Sequence, residues 1–186
     1  MKFVPIFDDE DCLLSTKKDN ERQDEFSKIF DQWTDIEYLD NFFTTHENDL
    51  KRPFWEGISI EQAIIGTRNE AIKFRKYLKR ISEKPPKERK LLFLGLFHPL
   101  SQNQGMSAFL ENKKAYGKRN KTWLRIYALK AGEDRYIITG GAIKLTDNMG
   151  ERPHTMKELR KMETCKQFLK NEGIVDEEGI IELLEL

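Results

Sequence analysis

Residues 123–146 read Trp123-Leu-Arg-Ile-Tyr-Ala-Leu-Lys-Ala-Gly-Glu-Asp-Arg-Tyr-Ile-Ile-Thr-Gly-Gly-Ala-Ile-Lys-Leu-Thr146, and this stretch decides the fold. Over 123–130 the side chains alternate. Trp123, Arg125 and Tyr127 fall on one side and Leu124, Ile126 and Ala128 on the other, the period of two that marks a β-strand. Ala131-Gly-Glu-Asp134 supplies a turn and 135–146 a second strand, so the pair is expected to form an antiparallel hairpin. Gly140-Gly141 interrupts the second strand, where a bulge or a close backbone approach is expected. Upstream, 111–118 reads as a third strand, preceded by a polar loop at 101–108. The apolar run Lys90 to Leu100 is too short to assign to helix or strand from its period.

Helical periodicity lies on both sides of this group. Ser59 and Gln62 form a capping box, and Ile60, Ile64, Thr67, Ala71, Phe74, Leu78 and Ile81 carry an apolar stripe to about Glu83. The opposite side of that helix is basic, with Arg68, Lys73, Arg75, Lys76, Lys79 and Arg80. Before it, Phe26, Ile29, Phe30, Trp33, Ile36, Leu39 and Phe43 give a stripe over 21–43, with an interruption near Thr34–Asp35. Lys2 to Phe7 reads as a short strand followed by an Asp-rich loop. After the hairpin, Pro153 with a Thr155/Glu158 capping box opens a last long helix with the stripe Met156, Leu159, Met162, Phe168 and Leu169, ending at Gly173. Ile174 to Leu186 suits a short apolar and acidic helix. The expected fold is α+β, with helices on one face of a small antiparallel sheet. One domain is expected over 1–186: an acidic strand and helical region at 1–56, a core at 57–172 and an acidic tail at 173–186.

The chain has 186 residues, 38% of them hydrophobic and 34% charged, which suits a folded domain. No apolar run approaches the roughly 18 residues of a membrane helix. The N-terminus is too short in apolar residues and too acidic for a signal peptide. Cys12 and Cys165 lie far apart without ligand spacing, so a reducing cytoplasm is the expected compartment. The formal net charge of zero hides a division. Residues 1–62 hold 7 basic and 16 acidic side chains, 63–170 hold 25 basic and 10 acidic, and 171–186 hold 6 acidic and no basic ones. Such asymmetry suits a polyanion-binding middle, and equally suits mutual neutralisation within the chain.

The sequence has no P-loop, no dinucleotide fingerprint, no HExxH or paired-cysteine metal signature and no nucleophile elbow. His46, His98 and His154 are too widely spaced for a metal centre, and neither metal nor cofactor is expected. The concentrated feature is cationic: Lys113, Lys114, Lys118, Arg119 and Lys121, then Arg125 within an apolar strand and Lys144 on the next. With Trp123, Tyr127 and Tyr136 interleaved as stacking platforms, these residues suit a single-stranded RNA groove. An arginine amid Leu124, Ile126 and Ala128 must snorkel, pair or serve a ligand. His154 has the near-neutral titration of a general acid or base. His98, ahead of Pro99, reads as structural.

Trp123-Leu-Arg-Ile-Tyr-Ala, then Tyr136-Ile-Ile-Thr-Gly-Gly-Ala-Ile-Lys-Leu-Thr, then Arg152-Pro-His-Thr-Met-Lys-Glu-Leu resemble the C-terminal half of RelE/HigB-like toxins over about residues 110–172. Arg125 matches the arginine of that family's first strand motif and Lys144 the first lysine of its second. Lys113, Lys114, Lys118 and Arg119 match the preceding basic residues loosely. The resemblance implies a RelE-like α+β fold and a cytoplasmic endoribonuclease that cleaves mRNA on the ribosome without a metal. It also implies neutralisation by a cognate antitoxin, of helix-turn-helix type where the neighbouring gene encodes one. Arg125, Lys144 and His154 are then the catalytic candidates. Lys113, Lys114, Lys118, Arg119, Lys121, Trp123 and Tyr127 are the RNA-binding ones. The chain departs from the family in having a single lysine at Lys144, no tyrosine near the C-terminus, and extra acidic segments at 8–60 and after Gly173. A non-catalytic RNA-binding module and a protein-interaction module are the alternatives.

Overall fold

The computed structural model describes residues 1–7, 12–55, 57–100, 110–117 and 121–184. Six strands form one sheet: β1 (Lys2–Pro5), β2 (Leu13–Lys17), β3 (Phe97–Pro99), β4 (Leu110–Tyr116), β5 (Leu124–Ala131) and β6 (Tyr136–Ile143). Their spatial order is β1-β2-β6-β5-β4-β3. The β5–β6 hairpin lies at the centre, as its sequence requires. Its register steps between Tyr127 and Ala128, opposite Gly140 and Ile138, which leaves Thr139, immediately before the glycine pair, as the extra residue. β2 runs parallel to β6 while the other pairings are antiparallel. The sheet is therefore mixed.

β2 has no counterpart in the sequence reading for a physical reason. It is an interior strand, and Leu13, Leu14, Ser15 and Thr16 are all buried. A strand covered on both faces lacks the alternation that reveals a half-exposed one.

The helices are α1 (Glu25–Thr34), α2 (Ile36–Thr45), α3 (Glu47–Leu50), α4 (Ile60–Ser82), α5 (Pro86–Leu96), α6 (Pro153–Asn171) and α7 (Glu177–Leu184). The stripe over 21–43 breaks where expected. Asp35 closes α1 through its N–H to the Asp31 carbonyl and opens α2 by accepting from the N–H groups of Glu37 and Tyr38. Asp35→Ala should lower stability by about 1 kcal/mol, read as a reduced urea midpoint with an unchanged slope. Ser59 and Gln62 form the anticipated capping box of α4. The apolar run at 90–100 divides, ending α5 at Leu96 and supplying β3. No capping box opens α6. Its N-cap is Arg152, the Thr155 hydroxyl donates to the carbonyls of Met149 and Arg152, and Glu158 is buried against Lys161.

The protein is α+β, with helices on both faces of the sheet rather than one. Toward α1, α2, α4 and α5 the sheet presents Leu13, Leu124, Ile126, Ala128, Tyr136 and Ile138 against Phe30, Trp33, Phe43 and Phe74. Toward α6 and α7 it presents Leu14, Tyr127, Leu129 and Ile137 against Met162, Cys165, Leu169 and Ile180. Two amphipathic groups of helices require two sheet faces, because each must bury its own stripe. Gly141 allows the first packing: a Cβ there would stand 2.7 Å from the Arg125 carbonyl oxygen and 2.9 Å from Ile29. Gly141→Ala should therefore cost about 1–3 kcal/mol by overpacking, read in thermal unfolding.

The acidic flanks are part of this packing. Glu25 accepts from Lys161 at 2.6 Å, Asp49 pairs with Arg152, and Glu177 of α7 pairs with Arg135 at 3.1 Å beside the hairpin turn. Part of the charge division is thus neutralised within the chain.

Candidate functional site

Alternation in β4 and β5 sorts the cationic residues. Lys114 and Tyr116 of β4 and Arg125 and Tyr127 of β5 stand on the α6 side of the sheet. There they line a cavity of about 420 Å³ together with Leu100, Lys144, Asp147, Asn148 and Met149. The strand pairing sets Tyr116 opposite Arg125 and Lys114 opposite Tyr127. Lys144 arrives from the end of β6, its N–H bonded to the carbonyl of Trp123.

Each cation is held by neutral groups. The Arg125 guanidinium lies 4.2 Å above the Tyr116 ring, and its Nη1 donates to the carbonyls of Thr122 at 2.8 Å and Leu124 at 2.9 Å. Its Nε and Nη2 have no hydrogen-bond partner among the described residues. Lys144 Nζ donates to the carbonyls of Thr146 at 2.7 Å and Asp147 at 2.5 Å. Lys114 Nζ reaches the Leu100 carbonyl at 3.4 Å. None of the three pairs with a carboxylate among the described residues. Burial holds Arg125 below the usual arginine value. Burial first, then the charges of Arg125 and Lys114, hold Lys144 below the usual lysine value. Three mutually repelling cations in one concave site make a focused positive field, the condition for capturing an anion.

Tyr127 adds a second sign of a ligand. It is 1% exposed, and its hydroxyl has no hydrogen-bond partner among the described residues. Burial pushes the phenol well above its ordinary range, so it remains a neutral donor. A buried hydroxyl left unsatisfied costs about 1–3 kcal/mol, and an oxyanion in the cavity would accept from it.

The other expected site residues lie elsewhere. Trp123 precedes β5 and escapes its alternation. It is 1% exposed in the opposite core, packs against Phe43 and Trp55, and donates from Nε1 to Thr67, so it is not a stacking platform. Tyr127 is too deeply packed to stack a base, although it does line the cavity, and Tyr136 is fully buried in the opposite core against Phe93 and Phe97. Lys113 turns to the other side of β4, 7% exposed and 2.7 Å from Glu111. Lys121 lies over the Phe54 ring. Lys118 and Arg119 lie outside the described residues. Tyr116, which carries Arg125 on its face, is not marked by the sequence, because a tyrosine ending a strand carries no local sign of what it stacks on.

His154 also leaves the cavity. Its ring N–H donates to the Ile143 carbonyl at 3.0 Å, and the ring lies 4.9 Å from His46 and 5.2 Å from Phe42. It lines a separate cavity of about 340 Å³ with Glu25, Tyr38, Glu158 and Lys161, beside the end of β6. Burial holds both His46 and His154 below the ordinary imidazole value. Below about pH 6.5 the unfolded imidazoles take up protons that the folded ones resist, so stability falls as pH drops through that value. Glu158 acts in the opposite sense, since burial raises its carboxyl. His154→Gln should flatten the loss of urea midpoint between pH 7.5 and 5.5 relative to the unsubstituted protein, a comparison that isolates the imidazole.

Around the cavity, the rim loop at 144–152 is clamped by the N-terminal region. Trp55 Nε1 donates to the Leu145 carbonyl at 2.9 Å. Arg152 donates from Nε and Nη2 to Asp49, which is 4% exposed, and Arg52 donates to Glu151. Among the described residues no helix is long and apolar enough to cross a membrane, and no group of three or more His, Cys, Asp or Glu side chains is placed to hold a metal ion. No family model, curated protein or solved structure matches this chain.

Proposed function

We propose that this protein is an endoribonuclease of the RelE/HigB-like toxin type, which binds RNA at the Arg125–Lys144 cavity and cleaves it without a metal ion. The observation that carries the reading is the convergence of Arg125, Lys144 and Lys114 on one cavity, without carboxylate partners among the described residues and beside the unsatisfied Tyr127 hydroxyl. Three cations against the one carboxylate of the lining, Asp147, favour a phosphate over a divalent metal.

The chemistry that suits these groups is in-line attack of the RNA's own 2′-hydroxyl on the adjacent phosphorus. The products are a 2′,3′-cyclic phosphate and a 5′-hydroxyl. Charge accumulates on the non-bridging oxygens as the fifth bond forms. The unspent Nε and Nη2 donors of Arg125 and the fixed ammonium of Lys144 stabilise it without further reorganisation. The compartment is the cytoplasm, the substrate mRNA on the ribosome, and the neutralising partner an antitoxin encoded nearby.

The test is incubation of the full chain with RNA, with and without programmed ribosomes, followed by end-group analysis. Cyclic phosphate and 5′-hydroxyl ends formed in EDTA are expected. Cleavage that requires magnesium and leaves 5′-phosphate ends sinks the proposal. One observation favours a second reading, a non-catalytic RNA-binding module: His154, the histidine the sequence singles out, is turned away from the cavity. That reading predicts no cleavage, with RNA affinity falling with salt at a slope of about −2 for three phosphate contacts on a single strand.

A further inference from the structure

The proposed cleavage needs a group to take the 2′-hydroxyl proton, and the displacement of His154 leaves that role open. We infer that His98 fills it, with Lys144 as the proton donor on the opposite side of the phosphate; this rests on the ribonuclease reading above. His98 is the middle residue of β3. Its neighbour Phe97 is in the core on the α4 and α5 side, so alternation turns His98 to the face that bears the cavity. The register then sets His98 beside Lys114 and Lys114 beside Tyr127, one row across three strands. The imidazole is exposed, and its ring lies 5.7 Å from the Tyr116 ring that carries Arg125. It therefore stands on the cavity-bearing face beside Tyr116, on the side where the ribose flanking a bound phosphate would lie.

The order across the sheet gives the inference its direction. Passing from β3 to the end of β6, the same face presents His98, then Lys114 and Tyr116, then Arg125, then Lys144. Arg125, the group suited to hold the phosphate, lies between the imidazole and the ammonium. In-line displacement requires the entering and leaving oxygens on opposite sides of phosphorus, which is how these two groups flank the arginine. In the step, neutral His98 accepts the 2′-hydroxyl proton as the O2′–P bond forms. The P–O5′ bond breaks, and O5′ takes a proton from the Lys144 ammonium. The imidazolium and the amine then return to their starting states by exchange with water. Lys144 suits the donor role because two of its three N–H groups are fixed on carbonyls, leaving one for the leaving oxygen. Its crowded, half-buried charge is also easier to discharge than that of a solvated lysine.

The test is the pH dependence of cleavage by the full-length protein and its His98→Ala and His154→Gln variants, on whichever substrate the unsubstituted protein cuts, RNA alone or on programmed ribosomes. His98 is exposed and makes no core contact, so its loss should leave the thermal midpoint in place. His98→Ala should slow cleavage by about 100-fold or more with RNA affinity within about twofold. It should also abolish the decline in rate toward acid pH and recover part of its rate in imidazole buffer. His154→Gln should keep the acid limb. A His98→Ala protein that retains the rate and the acid limb overturns the assignment and leaves the ribonuclease reading standing. An unsubstituted protein that cuts no RNA in either format overturns both.

Discussion

Arg125→Ala should reduce RNA cleavage by about 10²–10³-fold, the usual consequence of deleting a preorganised donor to a developing oxyanion. The side chain is half-buried, is stacked on Tyr116 and uses only Nη1 internally, so the variant loses the phosphate-facing donors and little packing. Arg125→Lys should recover only a small part of the rate. A lysine restores the charge without the planar fork that holds both the Thr122 and Leu124 carbonyls and a phosphate oxygen. In cells, induced expression of the unsubstituted chain should arrest growth, and Arg125→Ala should relieve the arrest at equal protein level. If the two proteins cleave RNA alike, the functional proposal fails at its centre, because it assigns the phosphate to the Arg125 guanidinium.

Phe30→Ala should strongly lower stability. Phe30 is 2% exposed, and its ring centroid lies 4.5 Å from Phe26, 5.2 Å from Trp33 and 6.3 Å from Phe74. It joins α1 to α4 within the larger core. Truncating such a ring costs about 3–5 kcal/mol through lost burial and the cavity left behind, a large share of the 5–15 kcal/mol that holds a typical domain together. Chemical denaturation should show the midpoint falling with little change in slope. A loss below 1 kcal/mol would mean that α1 is not anchored to α4 through this cluster.

Most of the elements are legible in the chain because their signals are local. The alternation read over 123–130 holds from Leu124 onward and fails at Trp123, while the turn at 131–134, the Ser59/Gln62 box and the break at Asp35 act through neighbours in sequence and appear at their expected places. The glycine pair marks a close approach, because only a residue without a Cβ passes so near the Arg125 carbonyl and Ile29 as Gly141 does. Where the signal is not local, the reading stops short. Thr155 and Glu158 have the spacing of a capping box but are used otherwise. The hydroxyl finds the Met149 and Arg152 carbonyls, and the carboxylate is drawn to Lys161.

The amino-acid order alone determined the α+β class, the central hairpin, and Arg125 as a cation set into an apolar strand, because period, turn chemistry and residue type are properties of short segments; Lys144, read within the next strand, lies just past its end. Only the tertiary structure decided that helices cover both faces, that β2 enters parallel to β6, and which cations share a cavity. It also exchanged the two histidines, withdrawing His154 behind β6 and bringing His98 to the cavity face. Those outcomes depend on strand register and helix packing between residues far apart in the chain. A one-residue change of register moves a side chain to the opposite face, and no local pattern records which register the assembled sheet adopts.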